Sequence, residues 1–175
     1  MFLRSTENYS VLCAPRSGHF SMYNYFGLNY LTEPDSSGKR KLSSSGNVGE
    51  WLNSESKNKI LVIRNPYSRL QSAIKHTENM NKGDDWTKSH SGLFLEQISF
   101  TKVDFEIIKF EKYNDYVTEY GPHVITTHSN CRNWQPMFER YYSKKQMDAE
   151  FAAYRKILSE RKEISVDKWK KLTSE

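Results

Sequence analysis

The sequence predicts an α/β domain of three α/β/α layers, in which helices cover both faces of a mostly parallel central sheet. Three observations point there. Apolar, β-branched runs recur along the chain with helical stretches between them. The junctions from run to helix carry turn and cap residues where a helix start needs them. A chain of 175 residues, 37% hydrophobic and 14% aromatic, is enough for one buried core. Strands that alternate with helices need crossover connections, and crossovers make neighbouring strands parallel.

Residues 9–14 read as a buried strand, followed through Pro15-Arg16-Ser17-Gly18 by a helix over 18–30. From Glu33 to Asn58 the composition turns to Ser, Gly, Lys and Asn, so 34–47 reads as a mobile loop before a short helix at 48–53. "NKILVIRNPYSRLQSAIKH" is the clearest unit: a β-branched run, Asn65 as N-cap, Pro66 at the first helical position, and a helix onward. The polar stretch 80–91 reads as a second long loop, before a short helix near 92–99. Strands are expected at 103–110 and 123–128, with a short helical stretch near 111–119 that ends at Gly121-Pro122. Helices over 135–159 and 166–173 complete a single domain, 1–175, without an internal repeat.

Composition narrows the function. Lys and Arg exceed Asp and Glu by 26 to 21, a net charge of +5 that suits an anionic ligand and is mild for a nucleic-acid binder. A small anion is the expected partner rather than a polymer. Two cysteines, Cys13 and Cys131, are too few and too far apart for a disulfide scaffold or a zinc site, so a reducing, cytoplasmic setting is expected. The first residues lack the apolar region of a signal peptide, and no run of eighteen apolar residues offers a membrane span; a soluble protein is expected.

Two turns carry the chemistry. In an open parallel sheet, ligands sit beyond the carboxyl ends of the strands, where loops enter helices. The turn Arg16-Ser17-Gly18-His19-Phe20-Ser21 offers consecutive backbone N–H donors, a glycine that lets a ligand approach, two hydroxyls and a guanidinium. That set suits a phosphate-like group. The nucleotide-kinase pattern G-x-x-x-x-G-K-S/T is absent, and Gly38-Lys39 follows no strand, which disfavours ATP or GTP with magnesium. The second turn adds Arg64 at a strand end and Ser72 on the following helix, on a face shared with Asn65, Ser68 and Arg69, while Tyr67, Leu70, Ala73 and Ile74 point to the core. Arg64 and Ser72 are therefore expected to grip one dianion together, and two anion sites on one rim suggest a ligand with two phosphate-like ends.

This pair of turns resembles the cofactor signature of the sulfotransferases that use 3'-phosphoadenosine 5'-phosphosulfate (PAPS) and release 3'-phosphoadenosine 5'-phosphate (PAP). In that family a strand-loop-helix of Pro, Lys or Arg, Ser or Thr, Gly, Ser or Thr holds the 5'-phosphosulfate; here it is Pro15-Arg16-Ser17-Gly18, with His19 where the hydroxyl residue usually stands. A later strand-helix holds the 3'-phosphate through its first Arg and its Ser, matched here by "VIRNPYSRLQS" with Arg64 and Ser72. "KFEKYND" and the block from "HSNCRNWQP" to "EFAAY" resemble later family segments more weakly. The resemblance implies a P-loop NTPase-like fold, a metal-free site, and in-line transfer of a sulfuryl group to a hydroxyl or amine of a small-molecule or glycan acceptor, without nucleic acid or membrane.

It further implies cofactor contacts from Arg16, Ser17, Gly18, His19, Phe20, Ser21, Arg64 and Ser72, with Asn130 and Arg132 near the adenine. Arg16 would also stabilise the leaving oxygen, since fixed donors at developing charge give the largest electrostatic effect. The general base falls on Glu33, in "NYLTEP", with Glu50, His76 and His90 as competitors. Blander readings stand beside these: His76, His90, His123 and His128 as exposed or capping residues, "GKRK" as a solvated loop rather than a clamp on an acidic acceptor. The rival functions are a nucleotide kinase, and a binding module that keeps the nucleotide site without turnover.

Overall fold

The computed structural model describes residues 1–117 and 136–174. The strand expected at 123–128, with Asn130, Cys131 and Arg132, lies outside them. Among the described residues the sheet has four strands in spatial order β1 (Phe2–Ser5), β2 (Tyr9–Cys13), β3 (Asn58–Ile63) and β4 (Glu106–Lys109). β2, β3 and β4 run parallel, in the register Val11↔Ile60 and Leu61↔Ile107. β1 was not anticipated from the sequence. It pairs antiparallel with β2 through a tight turn in which Thr6 N–H donates to Tyr9 C=O, so the sheet is mixed with one antiparallel edge.

Both faces of the sheet are apolar, as parallel strands buried between helices require. On one face Val11, Cys13, Ile60, Val62 and Ile108 pack against Met22 and Tyr23 of α1 (His19–Tyr25), Tyr113 and Tyr116 of α6 (Tyr113–Tyr116) and Trp169 of α9 (Val166–Thr173). On the other, Leu12, Ala14, Leu61, Ile63 and Ile107 meet Val48 and Trp51 of α2 (Val48–Asn53), Leu95 and Ile98 of α5 (Leu95–Ser99), and Ala153, Tyr154 and Ile157 of α8 (Lys144–Glu160). A third cluster joins Tyr67, Leu70 and Ile74 of α3 (Pro66–Asn79) to Phe138 of α7 (Pro136–Glu139) and Met147 of α8.

Several boundaries differ from expectation for identifiable reasons. α1 stops at Tyr25 because Gly27, at φ +64°, closes it: Gly27 N–H donates to Asn24 C=O and Leu28 N–H to Tyr23 C=O. The stretch 80–91 is not a loop throughout, since α4 (Asp84–Ser91) occupies most of it. Asp84 and Asp85 in its first turn and Lys88 and His90 in its last oppose the helix dipole favourably, and Thr87 hydrogen-bonds Thr77 of α3 at 2.7 Å. The helix expected over 135–159 is two helices, because Ser143 and Gln146 form a capping box that starts α8 afresh. The 34–47 segment folds back on itself: Leu31 bridges Leu42, Thr32 N–H donates to Lys41 C=O, and the Asp35 carboxylate accepts from Ser37 and Lys39 N–H.

Arg69 is a correction of a different kind. It was expected beside Ser72 on the ligand face, but it is buried at 2% exposure, donates to Gly92 C=O at 2.5 Å and lies 4.8 Å from the Phe94 ring. Burial lowers its pKa, and the Glu150 carboxylate opposes that effect. Glu150, 1% exposed on α8, accepts the N–H groups of Phe94 and Leu95 at 2.8 Å each and so caps α5. One carboxylate thus satisfies a helix start and balances a buried cation. Glu150→Ala is expected to cost about 3–5 kcal/mol in urea unfolding, the scale for removing one member of a buried charge pair; a loss below about 1 kcal/mol would show that Arg69 does not depend on it.

Candidate functional site

The turn after β2 spans Pro15 to Gly18. Its backbone alternates in sign: Arg16 has φ +63° and Gly18 φ +87°, while Ser17 between them is not in the left-handed region. Such alternation can cup N–H groups into a concavity suited to an anion, although the Ser17 N–H of this turn is taken by the Ala14 carbonyl. A left-handed non-glycine residue is strained by about 1–2 kcal/mol, and here three contacts hold it. The Ser17 N–H donates to Ala14 C=O at 3.1 Å, the Cys13 thiol donates to Ser17 C=O at 3.2 Å, and a guanidinium N–H of Arg64 donates to Arg16 C=O. Cys13 is a structural thiol, with its pKa pushed well up by burial.

Arg64 follows β3 and is 7% exposed. Besides its bond to the Arg16 carbonyl it donates from Nε to Ser68 Oγ at 3.0 Å, and its guanidinium lies 4.3 Å from the centre of the Phe110 ring. Asn65 caps α3 as expected, its side chain accepting from Tyr67 and Ser68 N–H. Ser72 accepts from Arg16 Nε at 3.0 Å, a bond that joins the helix of the second turn to the first.

The third strand contributes residues that sequence reasoning did not single out. After β4 the chain enters a 3-10 turn at Phe110–Lys112 and then α6. Phe110 supplies the ring beneath Arg64, and Tyr113 donates its hydroxyl proton to Gly18 C=O at 2.6 Å. The Tyr113 ring lies so close that a Cβ on Gly18 would meet its Cζ at 2.6 Å. Their one signal was the segment "KFEKYND", whose resemblance to a family segment named no function for either ring.

Arg16 is the electrostatic centre. It is half-buried, its pKa is lowered by desolvation, and its hydrogen-bonding partner is the neutral Ser72. Among the described residues no carboxylate forms an ion pair with it. A contrasting cavity of about 400 Å³ sits at the other ends of the strands, against Asn58, Lys59, Phe105 and Glu106. There Lys168 pairs with Glu106 at 2.6 Å and Arg161 with Asp104 at 3.6 Å, so these two cations are met from within the protein.

Three imidazoles surround the Arg16 turn. His19, half-buried at the start of α1, has its pKa lowered to about 4, by burial first and then by the charges of the Met1 amino group, Arg16, His90 and His76. Burial, Arg16 and His90 also lower His76. His90 stacks on Trp86 at 3.8 Å between ring centres, and its Nδ1 lies 2.8 Å from Trp86 C=O; a carbonyl only accepts, so Nδ1 carries a proton. Among the described residues no three His, Cys, Asp or Glu side chains are placed to share a metal ion.

The remaining candidates divide. Ser17 and Ser21 are buried in the turn and α1, and Phe20 is exposed beside Tyr30. Glu33 is exposed on the folded-back segment after Tyr30, whose ring lies 6.2 Å from that of His19. Glu50 is occupied at the start of α2, where it accepts from Asn47 Nδ2 at 3.1 Å. Comparison with protein-family models, with curated proteins and with solved structures found no match. Among the described residues no helix is long and apolar enough to cross a membrane.

Gly18→Ala is expected to destabilise the fold by about 2–4 kcal/mol, through strain at φ +87° and the collision with Tyr113. Thermal melting and the near-ultraviolet tyrosine signal check it; an unchanged midpoint would mean that the turn does not need this approach.

Proposed function

We propose that this protein is a PAPS-dependent sulfotransferase, with Arg16 and Arg64 at one composite site for the cofactor's phosphate groups. The observation that carries the reading is Arg16 itself: a partly desolvated cation on an anion-shaped turn, beside the second turn, with only a hydroxyl from the described residues to meet it. Holding such a charge out of water is costly unless an anion arrives to compensate it. The spacing and order of Pro15-Arg16-Ser17-Gly18 and "VIRNPYSRLQS" supply the chemical identity of that anion. The P-loop NTPase-like fold belongs to the same reading, as an extension of the α/β sheet and its flanking helices.

In the proposed reaction an acceptor oxygen or nitrogen attacks the sulfur of PAPS in line. The S–O bond to the 5'-phosphate breaks, the electron pair stays on the phosphate oxygen, and the acceptor's proton goes to a base. Arg16 neutralises the charge growing on the leaving oxygen. Arg64 fixes the Arg16 backbone, so its contribution is to position Arg16 as well as to add positive potential. Glu33 is the base in this reading, carried by a segment that reaches the site through Tyr30.

Calorimetric titration tests the assignment. PAP is expected to bind with the same affinity with and without magnesium, and more tightly than ATP; tighter, magnesium-dependent ATP binding would replace the reading with a phosphotransferase. Arg16→Ala is expected to weaken PAP binding by about 1.5–3 kcal/mol, the scale of a charged hydrogen bond, and an unaltered dissociation constant would remove Arg16 from the site.

Turnover of labelled PAPS over a panel of hydroxyl and amine acceptors then separates an enzyme from a binding module. Glu33→Gln is expected to leave PAP affinity intact and to lower kcat about 100-fold or more, as loss of a general base does. Full activity in that variant would place the base elsewhere.

A further inference from the structure

Near Arg16 the protein gathers groups that carry, or can take, positive charge. From the turn comes Arg16, from α1 His19, from α3 His76, from α4 His90, and from the start of β1 the Met1 amino group; each of the other four acts on His19. Tyr30 faces His19 from the following segment, with ring centres 6.2 Å apart. His76 lies one helical turn beyond Ser72, the residue that holds Arg16, and helical side chains lean back over the preceding turn. Its ring is 5.2 Å from Trp86 and 6.3 Å from His90. The carboxylates of this neighbourhood point to another cation: Asp84 pairs with Arg140 at 2.8 Å, and Glu78 also acts on Arg140. Among the described residues no carboxylate figures among the charges acting on His19 or His76.

We propose that His19 and His76 are part of the anion site, and that a sulfate- or phosphate-like dianion bound against Arg16 draws a proton onto this pair. The inference rests on reading the Arg16 turn as an anion site; it does not need the anion to be PAPS. In the free protein the imidazoles stay neutral because burial and Arg16 both oppose a further positive charge. A bound dianion reverses the sign of the local potential, so the protonated form becomes the stable one and gives the ligand a second cationic wall. The sign of the linkage follows: the folded, ligand-free pKa is depressed, the bound pKa is raised, and binding tightens as pH falls between the two. A histidine protonated in the bound state cannot accept the acceptor's proton, so His76 is an anion-binding residue rather than the base.

Inorganic sulfate is the clean probe, because it stays a dianion over the whole pH range and does not titrate as a phosphate ester does. With the free His19 pKa at about 4 and a bound value restored to the ordinary 6.5 or so, sulfate affinity should rise about tenfold from about pH 7.5 to about pH 5.5. Calorimetry in buffers of different ionisation enthalpy should show net proton uptake over the same range. In the His19→Asn/His76→Asn double variant, whatever its affinity at about pH 7.5, the ratio of sulfate affinities between the two pH values should fall to about one.

An equal dissociation constant at the two pH values, no sulfate binding at the lower one, or the same tightening in the double variant would each overturn the proposal. The wild-type titration decides even if the variant fails to fold. Titration with PAP distinguishes the two readings. Proton-linked sulfate binding without PAP binding would sink the sulfotransferase assignment alone, whereas PAP binding together with pH-independent sulfate binding would sink this inference alone.

Discussion

The structure of the candidate site depends on one buried arginine. Arg64 emerges from β3 with its aliphatic stem in the core and its guanidinium against Phe110, Ser68 and the carbonyl of Arg16. That last bond spans 48 positions of sequence and ties the second turn to the backbone of the first. Without it the left-handed Arg16 would relax toward an ordinary turn, the alternation of backbone sign would be lost, and the Arg16 side chain would swing off Ser72. Guanidinium suits the task better than ammonium, since one planar group can donate in several directions while its face rests on a ring.

Parallel pairing explains why such distant residues meet. β2, β3 and β4 share one direction, so their carboxyl ends, Cys13, Ile63 and Lys109, fall on one rim, and the chain after each strand supplies one wall of the site. Arg16 follows the first, Arg64 the second, and Phe110 with Tyr113 the third. Antiparallel pairing anywhere in this set would send one wall to the opposite rim. The antiparallel strand that does occur, β1, lies at the edge and interrupts nothing.

Features that rest on local chemistry were legible in the sequence. Asn65-Pro66 marks the start of α3, the β-branched runs mark β2 and β3, and Tyr67, Leu70, Ala73 and Ile74 face the core as their spacing predicts. Gly27 as a helix stop and Asp84-Asp85 as a helix start were equally local, and the aromatic-rich stretch before Gly27 and the polarity around Gly83 obscured them. The pairing of Arg16 with Ser72 was not legible, because it depends on how far one loop leans across a neighbouring helix. Nor was the burial of Arg69: its helical position allows either side, and the choice is made by Glu150, 81 positions away in sequence and brought near only by the packing of α8.

Arg16 and Arg69, neither of which pairs with a carboxylate inside 4 Å among the described residues, can therefore be told apart by what surrounds them. Arg69 has a backbone carbonyl, an aromatic face and the field of a buried Glu150, all from within the fold, which offset part of its removal from water while its Nε stays without a hydrogen-bond partner among the described residues. Arg16 has a serine hydroxyl, and two imidazoles that share its neighbourhood, His19 and His76, have their pKa lowered by burial first and by the charge of Arg16 as well. A fold that only needed a cation at this turn would be more stable with a carboxylate beside it, as at Lys168 and Arg161 on the opposite rim. The counter-charge that Arg16 lacks among the described residues is what the proposed anion would bring, and in that proposal His19 and His76 set how strongly it is held as pH changes.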